Sequence, residues 1–196
     1  MDDKLNELKL SKFLLHKYSD LINQREQRTI GEIKSLVDGT DLTIQNIITE
    51  FKESTYEFDI AYQSTLEKIF EFIKNELEFV ETNLGINYWL SANEMMQIKV
   101  VDDEDLAVFT CSCMKALGDN KAEVIIAELD NFKTHAFVST TIGEKFLILD
   151  PAQKHDFNLF FDTKPIVIKN YKFNNAHIKR FLYRFNSDKY EQFLEE

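Results

Sequence analysis

The chain reads as an α+β protein in which helices come first and an antiparallel sheet follows. Three observations predict this. Apolar residues recur at helical spacing through the first half, most clearly at Leu66, Ile69, Phe70, Ile73, Leu77 and Val80. After Gly118 the pattern changes to short runs rich in β-branched and aromatic residues, each of strand length. Only 5 Gly and 2 Pro punctuate the sequence, so little of it is linker. Helices followed by strands, with no alternation between them, is the α+β order.

The elements follow in sequence. Leu5, Leu8, Phe13, Leu14, Leu21 and Ile22 are loosely helical in spacing, and Ile30, Ile33, Leu36 and Val37 form a stripe that Gly39 stops. Residues 43–53 repeat the pattern with Ile44, Ile47, Ile48 and Phe51, and the clearest helix spans about 64–84. A further helix begins near Asp103 and runs to Gly118. Residues 122–129, 134–140 and 144–150 are strands, the last two joined by a short turn at Gly143. Residues 165–173 are expected to add a strand, and 177–185 fit a strand or a helix. Residues 187–196 are expected to form a terminal helix capped by Ser187. The chain therefore divides into a helical region, 1–62, packed on a core, 63–196.

Composition narrows the function. An apolar share of 44% and 17 Phe supply a core without staples in 196 residues. A net charge of −11 speaks against nucleic acid or an anionic membrane as partner. The only two cysteines, Cys111 and Cys113, point to different faces of a helix and cannot easily bridge each other. The start, Met1-Asp-Asp-Lys, lacks a basic segment followed by an apolar run, so no secretory signal is expected. No window approaches the roughly 18 apolar residues of a membrane span. The expected compartment is the cytoplasm, and no cofactor is expected.

The stretch Val101-Asp-Asp-Glu-Asp-Leu-Ala-Val-Phe-Thr-Cys-Ser-Cys-Met-Lys-Ala-Leu-Gly118 carries the chemistry. A helix N-terminus stabilises a thiolate and helps bind an oxyanion, while a base and its orienting carboxylate must come from elsewhere. His135 lies early on one strand, and Asp150 ends the next, just before Pro151. Paired as a hairpin, those strands place a carboxylate beside an imidazole. His16, His155 and His177 have no such setting and read as surface residues. Cys111 and Cys113 sit deep in an apolar helix and read as core. Cys111 lies about 12 Å along the axis beyond Asp103, too far to share the same histidine.

In order, the segments Ile69 to Asn75, Trp89-Leu-Ser-Ala-Asn-Glu94, Asp105-Leu-Ala107, Lys115-Ala-Leu-Gly118, His135-Ala-Phe-Val138 and Leu149-Asp-Pro151 resemble the transglutaminase-like superfamily, whose fold is related to the papain-like cysteine proteases. The resemblance spans about 66–151, under half of the chain. The family pattern at the turn is Gly-Asp-Cys-Asp/Glu-Asp-aromatic-Ala. Aligned without a gap, Val101 takes the Gly place, Asp102 the Asp place and Asp103 the place of the cysteine. The resemblance thus implies a transglutaminase-like core, a central helix packed on an antiparallel sheet. It further implies that His135 and Asp150 are the retained triad pair, that Asp103 replaces the nucleophile, and that Trp89 lies in the cleft near the oxyanion region.

A carboxylate is a poor nucleophile toward an amide, and its acyl product would be an anhydride. The expectation is therefore a non-catalytic protein that binds a peptide or protein partner in a cleft inherited from a cysteine enzyme. The alternative is an amide or ester hydrolase, either activating water through Asp103, His135 and Asp150, alone or with a metal, or using Cys111 as a thiol. Asp, His and Asp are acceptable metal ligands, but their spacing matches a triad and no known metal motif, so no metal is expected.

Overall fold

A computed structural model describes residues 2–81 and 84–194. Four helices come first: α1 (Asp2–Arg25), α2 (Ile30–Ser35), α3 (Leu42–Phe51) and α4 (Phe58–Glu76). The starts of α2 and α3 are written in side chains. Thr29 and Glu32 form a capping box at α2, and Asp41 accepts from the Thr43 and Ile44 N–H groups at α3. Ile44, Ile47 and Ile48 give α3 a buried face, and α4 buries the stripe that contains Leu66, Ile69, Phe70 and Ile73. The boundary drawn at 62/63 falls inside α4 and marks no linker.

After α4, β1 (Glu78–Phe79) pairs in parallel with β2 (Val100–Val101), and α5 (Ala92–Ile98) lies between them. Then comes α6 (Asp103–Ala116), buried continuously from Asp105 to Met114. A helix apolar on all sides belongs inside a core. α6 is enclosed by α3 and α4 on one side and the sheet on the other. Gly39 sits where a Cβ would lie 2.8 Å from the Ala116 backbone nitrogen, so only glycine lets the α2–α3 turn approach the end of α6.

The sheet contains β3 (Glu123–Leu129), β4 (Thr134–Ile142), β5 (Lys145–Leu149), β6 (Phe161–Asp162), β7 (Lys172–Phe173) and β8 (Ala176–Phe185), in the order β6-β5-β4-β3-β8-β7. β9 (Tyr190–Gln192) also pairs with β8. A 3-10 turn, Pro151–Gln153, follows β5. The sheet's second face carries a smaller core, including Phe137, Ile148, Phe160 and Tyr171, covered by α7 (Lys164–Asn170). The helical N-terminal region, the central helix on an antiparallel sheet and the α+β class are therefore all present.

Three expectations are corrected. Residues 165–173 form α7 followed by the short β7, because Pro165 sits in the first turn of a helix, where its missing N–H costs nothing. Among the described residues the last segment forms β9 and no helix, and residues 195 and 196 of the expected helix lie outside them. Asn186 Oδ1 accepts from the Asp188 and Lys189 N–H groups and folds the chain back onto β8. α4 stops at Glu76, and the chain continues as β1. α1 differs from the other N-terminal helices: Leu8, Leu10 and Phe13 are all more than half exposed. Its attachment near the C-terminal end is the Asn23 carboxamide, which donates to Gly85 O at 2.7 Å and accepts from the Asn87 N–H at 2.8 Å.

Candidate functional site

Asp103 is the first residue of α6, and Asp102 caps that helix by accepting from the Asp105 N–H at 3.0 Å. His135 is the second residue of β4. Asp150 follows β5, whose last residue, Leu149, pairs with Val138 of β4. Helix start and hairpin meet, and the three side chains form a line. Asp103 Oδ2 lies 2.7 Å from His135 Nδ1, and Asp150 Oδ2 lies 2.9 Å from His135 Nε2. The Ala136 N–H also donates to Asp103 Oδ2, at 2.8 Å. Asp103 keeps 21% of its side chain exposed, whereas His135 and Asp150 are buried.

Asp150 is held by more than its histidine. Tyr171 Oη and Gln153 Nε2 each donate to Asp150 Oδ2 at 2.7 Å, and the Ala152 N–H donates to Oδ1 at 3.2 Å. Burial would raise this carboxyl's pKa. The His135 charge and the bonds from His135, Tyr171 and Gln153 outweigh burial and hold it below the usual carboxylate range. Burial likewise opposes the His135 imidazolium. The Asp150 charge, the bonds from both carboxylates and the Asp103 charge outweigh it and push the pKa up to about 9. Phe173 stacks on the imidazole, with ring centroids 3.6 Å apart.

His155 is buried, contrary to its expected surface position. Its Nε2 accepts from the Asp150 N–H at 3.2 Å, and its Nδ1 lies 2.7 Å from Asp156 O. Burial lowers its pKa, which suits a neutral ring with an accepting Nε2. His16 and His177 are exposed. Trp89 is buried against Phe185, its Nε1–H donates to Asn87 Oδ1 at 3.0 Å, and it does not line the cleft over Asp103. Cys111 and Cys113 are fully buried, and burial pushes both thiols well above their ordinary pKa. Neither is a thiolate near neutral pH.

The four acids at the α6 start have separate fates. Asp102 caps, and Asp103 faces His135. Asp105 Oδ1 accepts from the Leu90 N–H at 2.8 Å and so anchors the segment before α5. Burial and the Asp102 charge push Asp105 up to about 7, and burial with its acidic neighbours pushes Glu104 up to about 8. Among the described residues, no three His, Cys, Asp or Glu side chains are arranged to hold a metal ion.

Asp103 opens into a cleft of about 510 Å³, walled by Gly85, Ile86 and Asn87 on one side and Phe132, Lys133 and Thr134 on the other. A hollow of about 60 Å³ continues to His135 and Phe173. Glu81, Asp102, Asp103 and Glu104 face a single cation, Lys133, which pairs with Glu81. An adjoining apolar hollow of about 220 Å³, lined by Val80, Leu84, Ile86 and Tyr88 among others, shares Ile86 and Asp102 with the cleft.

Tyr171, Gln153, His155 and Phe173 complete the site without having been foreseen. Gln153 lies three residues past Asp150, where a turn after Asp-Pro brings it back. No local signal marked the others.

No protein-family model and no curated sequence matches the chain. Among solved structures it is similar to Legionella pneumophila LapG, with a TM-score of 0.54 and 18% identity over 91% of this chain and 87% of that one. A calcium-bound LapG structure matches at the same TM-score with 17% identity, over 91% and 87% of the two chains. An EGTA-treated LapG structure matches at 0.54 and 18%, over 92% and 86%. The α+β fold is thus LapG-like over 91% of the chain. No helix among the described residues is long and apolar enough to cross a membrane.

Proposed function

We propose that this chain is a non-catalytic protein of transglutaminase-like, papain-like descent that binds a peptide or protein segment in the cleft over Asp103. The observation that carries the proposal is the 2.7 Å approach of Asp103 Oδ2 to His135 Nδ1, which leaves both ring nitrogens committed to carboxylates. An imidazolium held between two acids has no lone pair with which to accept a proton, so it is a poor general base at neutral pH. The group at the nucleophile's place is a carboxylate, and the two thiols are buried. The thiol alternative therefore lacks an accessible nucleophile, and the water-activating alternative lacks a free imidazole base. One LapG structure is calcium-bound. Among the described residues no three metal-ligating side chains are arranged to hold a metal ion, and no metal ion enters the proposal.

The cleft's chemistry supports a partner with a cationic residue beside an apolar one. With Glu81 paired to Lys133 and Glu104 largely protonated at neutral pH, Asp102 and Asp103 are the acids left to attract a Lys or Arg head group, and the adjoining apolar hollow suits its neighbour. A fluorescent peptide of alternating Lys and Leu tests this by anisotropy. We expect binding that falls at least about tenfold when its lysines are acetylated and that weakens with salt. Equal binding by the acetylated peptide removes the proposed recognition, and cleavage of the peptide seen by mass spectrometry contradicts the non-catalytic assignment.

A further inference from the structure

A second cavity, of about 270 Å³, shares no residue with the cleft over Asp103. It lies where the α2–α3 turn meets α5 and α6. Its apolar lining includes Leu36, Ile44, Trp89 and Met95, and its charged lining is Arg28, Asp38, Asp41 and Glu94. Arg28 Nε is the one buried side-chain nitrogen or oxygen among the described residues with no hydrogen-bond partner. Arg28 Nη2 reaches Glu26 at 3.2 Å, so the guanidinium is fixed at one end while its Nε–H lacks an acceptor.

The acids have spare capacity. Asp38 Oδ1 accepts from Thr40, Asp41 Oδ1 caps α3, and Glu94 Oε2 accepts from Ser91. In each case the second oxygen has no donor among the described residues. Arg28 in the cavity lining and three carboxylates with free oxygens together complement a zwitterion. The volume accommodates on the order of ten non-hydrogen atoms.

We propose that this cavity binds a free α-amino acid with an apolar side chain of leucine or methionine size. The carboxylate meets Arg28, the ammonium lies among Asp38, Asp41 and Glu94, and the side chain packs on Leu36, Ile44, Trp89 and Met95. A few convergent polar groups over an apolar floor is the usual make-up of a small-molecule site.

Trp89 is the only tryptophan in the chain, so its fluorescence reports on this cavity. Titration of the full chain with L-methionine or L-leucine is expected to give a saturable change. N-acetyl-L-methionine, which lacks the ammonium, and L-methioninamide, which lacks the carboxylate, are each expected to bind at least about tenfold more weakly. Arg28→Gln is expected to abolish the L-methionine response. Should that variant fail to fold, Asp38→Asn keeps the acceptor for Thr40 and is expected to weaken binding through the lost charge. The absence of a saturable change up to about 20 mM, above the millimolar Kd so small a ligand can reach, overturns the proposal. So does an unchanged response in a folded Arg28→Gln or Asp38→Asn protein. Equal binding of the N-acetyl form or of the amide also overturns it, by assigning the site to a peptide C-terminus or N-terminus.

Discussion

Replacing Asp103 by asparagine removes one of the two charges flanking His135 while keeping an oxygen for the Ala136 N–H. His135 rises from 6.5 in the unfolded chain to about 9 in the folded one. At 1.36 kcal/mol per pKa unit, that is about 3 kcal/mol of proton-linked stability. The folded pKa is the higher one, so this contribution is complete below pH 6.5 and is lost as pH rises through about 9. Two carboxylates share the effect, and the burial that opposes it is unchanged by the substitution. Asp103→Asn should therefore cost about 1–2 kcal/mol at pH 6 and little at pH 10. For a chain of this length the loss corresponds to a Tm lowered by roughly 3–6 °C at the lower pH. Thermal melts of both proteins across that range, followed by circular dichroism, measure the difference directly. A Tm deficit of equal size at pH 6 and pH 10, or none at pH 6, refutes the ion-paired cluster.

Asp103→Cys should create a thiol at a helix N-terminus beside an imidazole, reacting with iodoacetamide at residue 103, while Cys111 and Cys113 stay unlabelled in the native protein; comparable labelling of Cys111, seen by peptide mass mapping, contradicts this. Glu104 is held up at about 8 against an ordinary 4.5, so the folded chain loses stability as pH rises from 4.5 through 8. Glu104→Gln should accordingly raise the Tm at pH 9 relative to the parent and change it little at pH 4.5, and a lowered Tm at pH 9 refutes the assignment. Tyr171→Phe takes a charge-assisted hydrogen bond from buried Asp150 and should cost about 1.5–3 kcal/mol in urea denaturation, a loss below 0.5 kcal/mol counting against it.

The parts of the site visible in the sequence were those with a local signature. The acidic run before an apolar helix marked the α6 start, and two strand-length runs around Gly143 placed His135 and Asp150 on one hairpin. What stayed hidden depends on packing between distant segments. His155 resembles a surface residue until α4 is placed beside it, where Phe70 and Lys74 bury it and Lys74 Nζ donates to its carbonyl. Tyr171 and Phe173 reach Asp150 and His135 because α7 crosses the sheet's second face and β7 then pairs with β8 at the sheet edge, whereas a single strand over 165–173 points neither of them there by rule. Trp89 followed family position more loosely, and its indole lies in the core against Phe185. The terminal hairpin is hidden in the sequence because Ser187 looks like a helix cap, while Asn186 is the residue that turns the chain.

The most direct measurement is the pKa of His135 by NMR, from the ring proton shifts of the native protein titrated between pH 5 and 10. The buried His155, whose pKa burial lowers, provides a contrast. A His135 that stays protonated through pH 8 and titrates near 9, with its pKa falling in Asp103→Asn, is the expected result. A His135 already neutral at pH 6 contradicts the carboxylate–imidazolium–carboxylate line and restores a free base to the cleft.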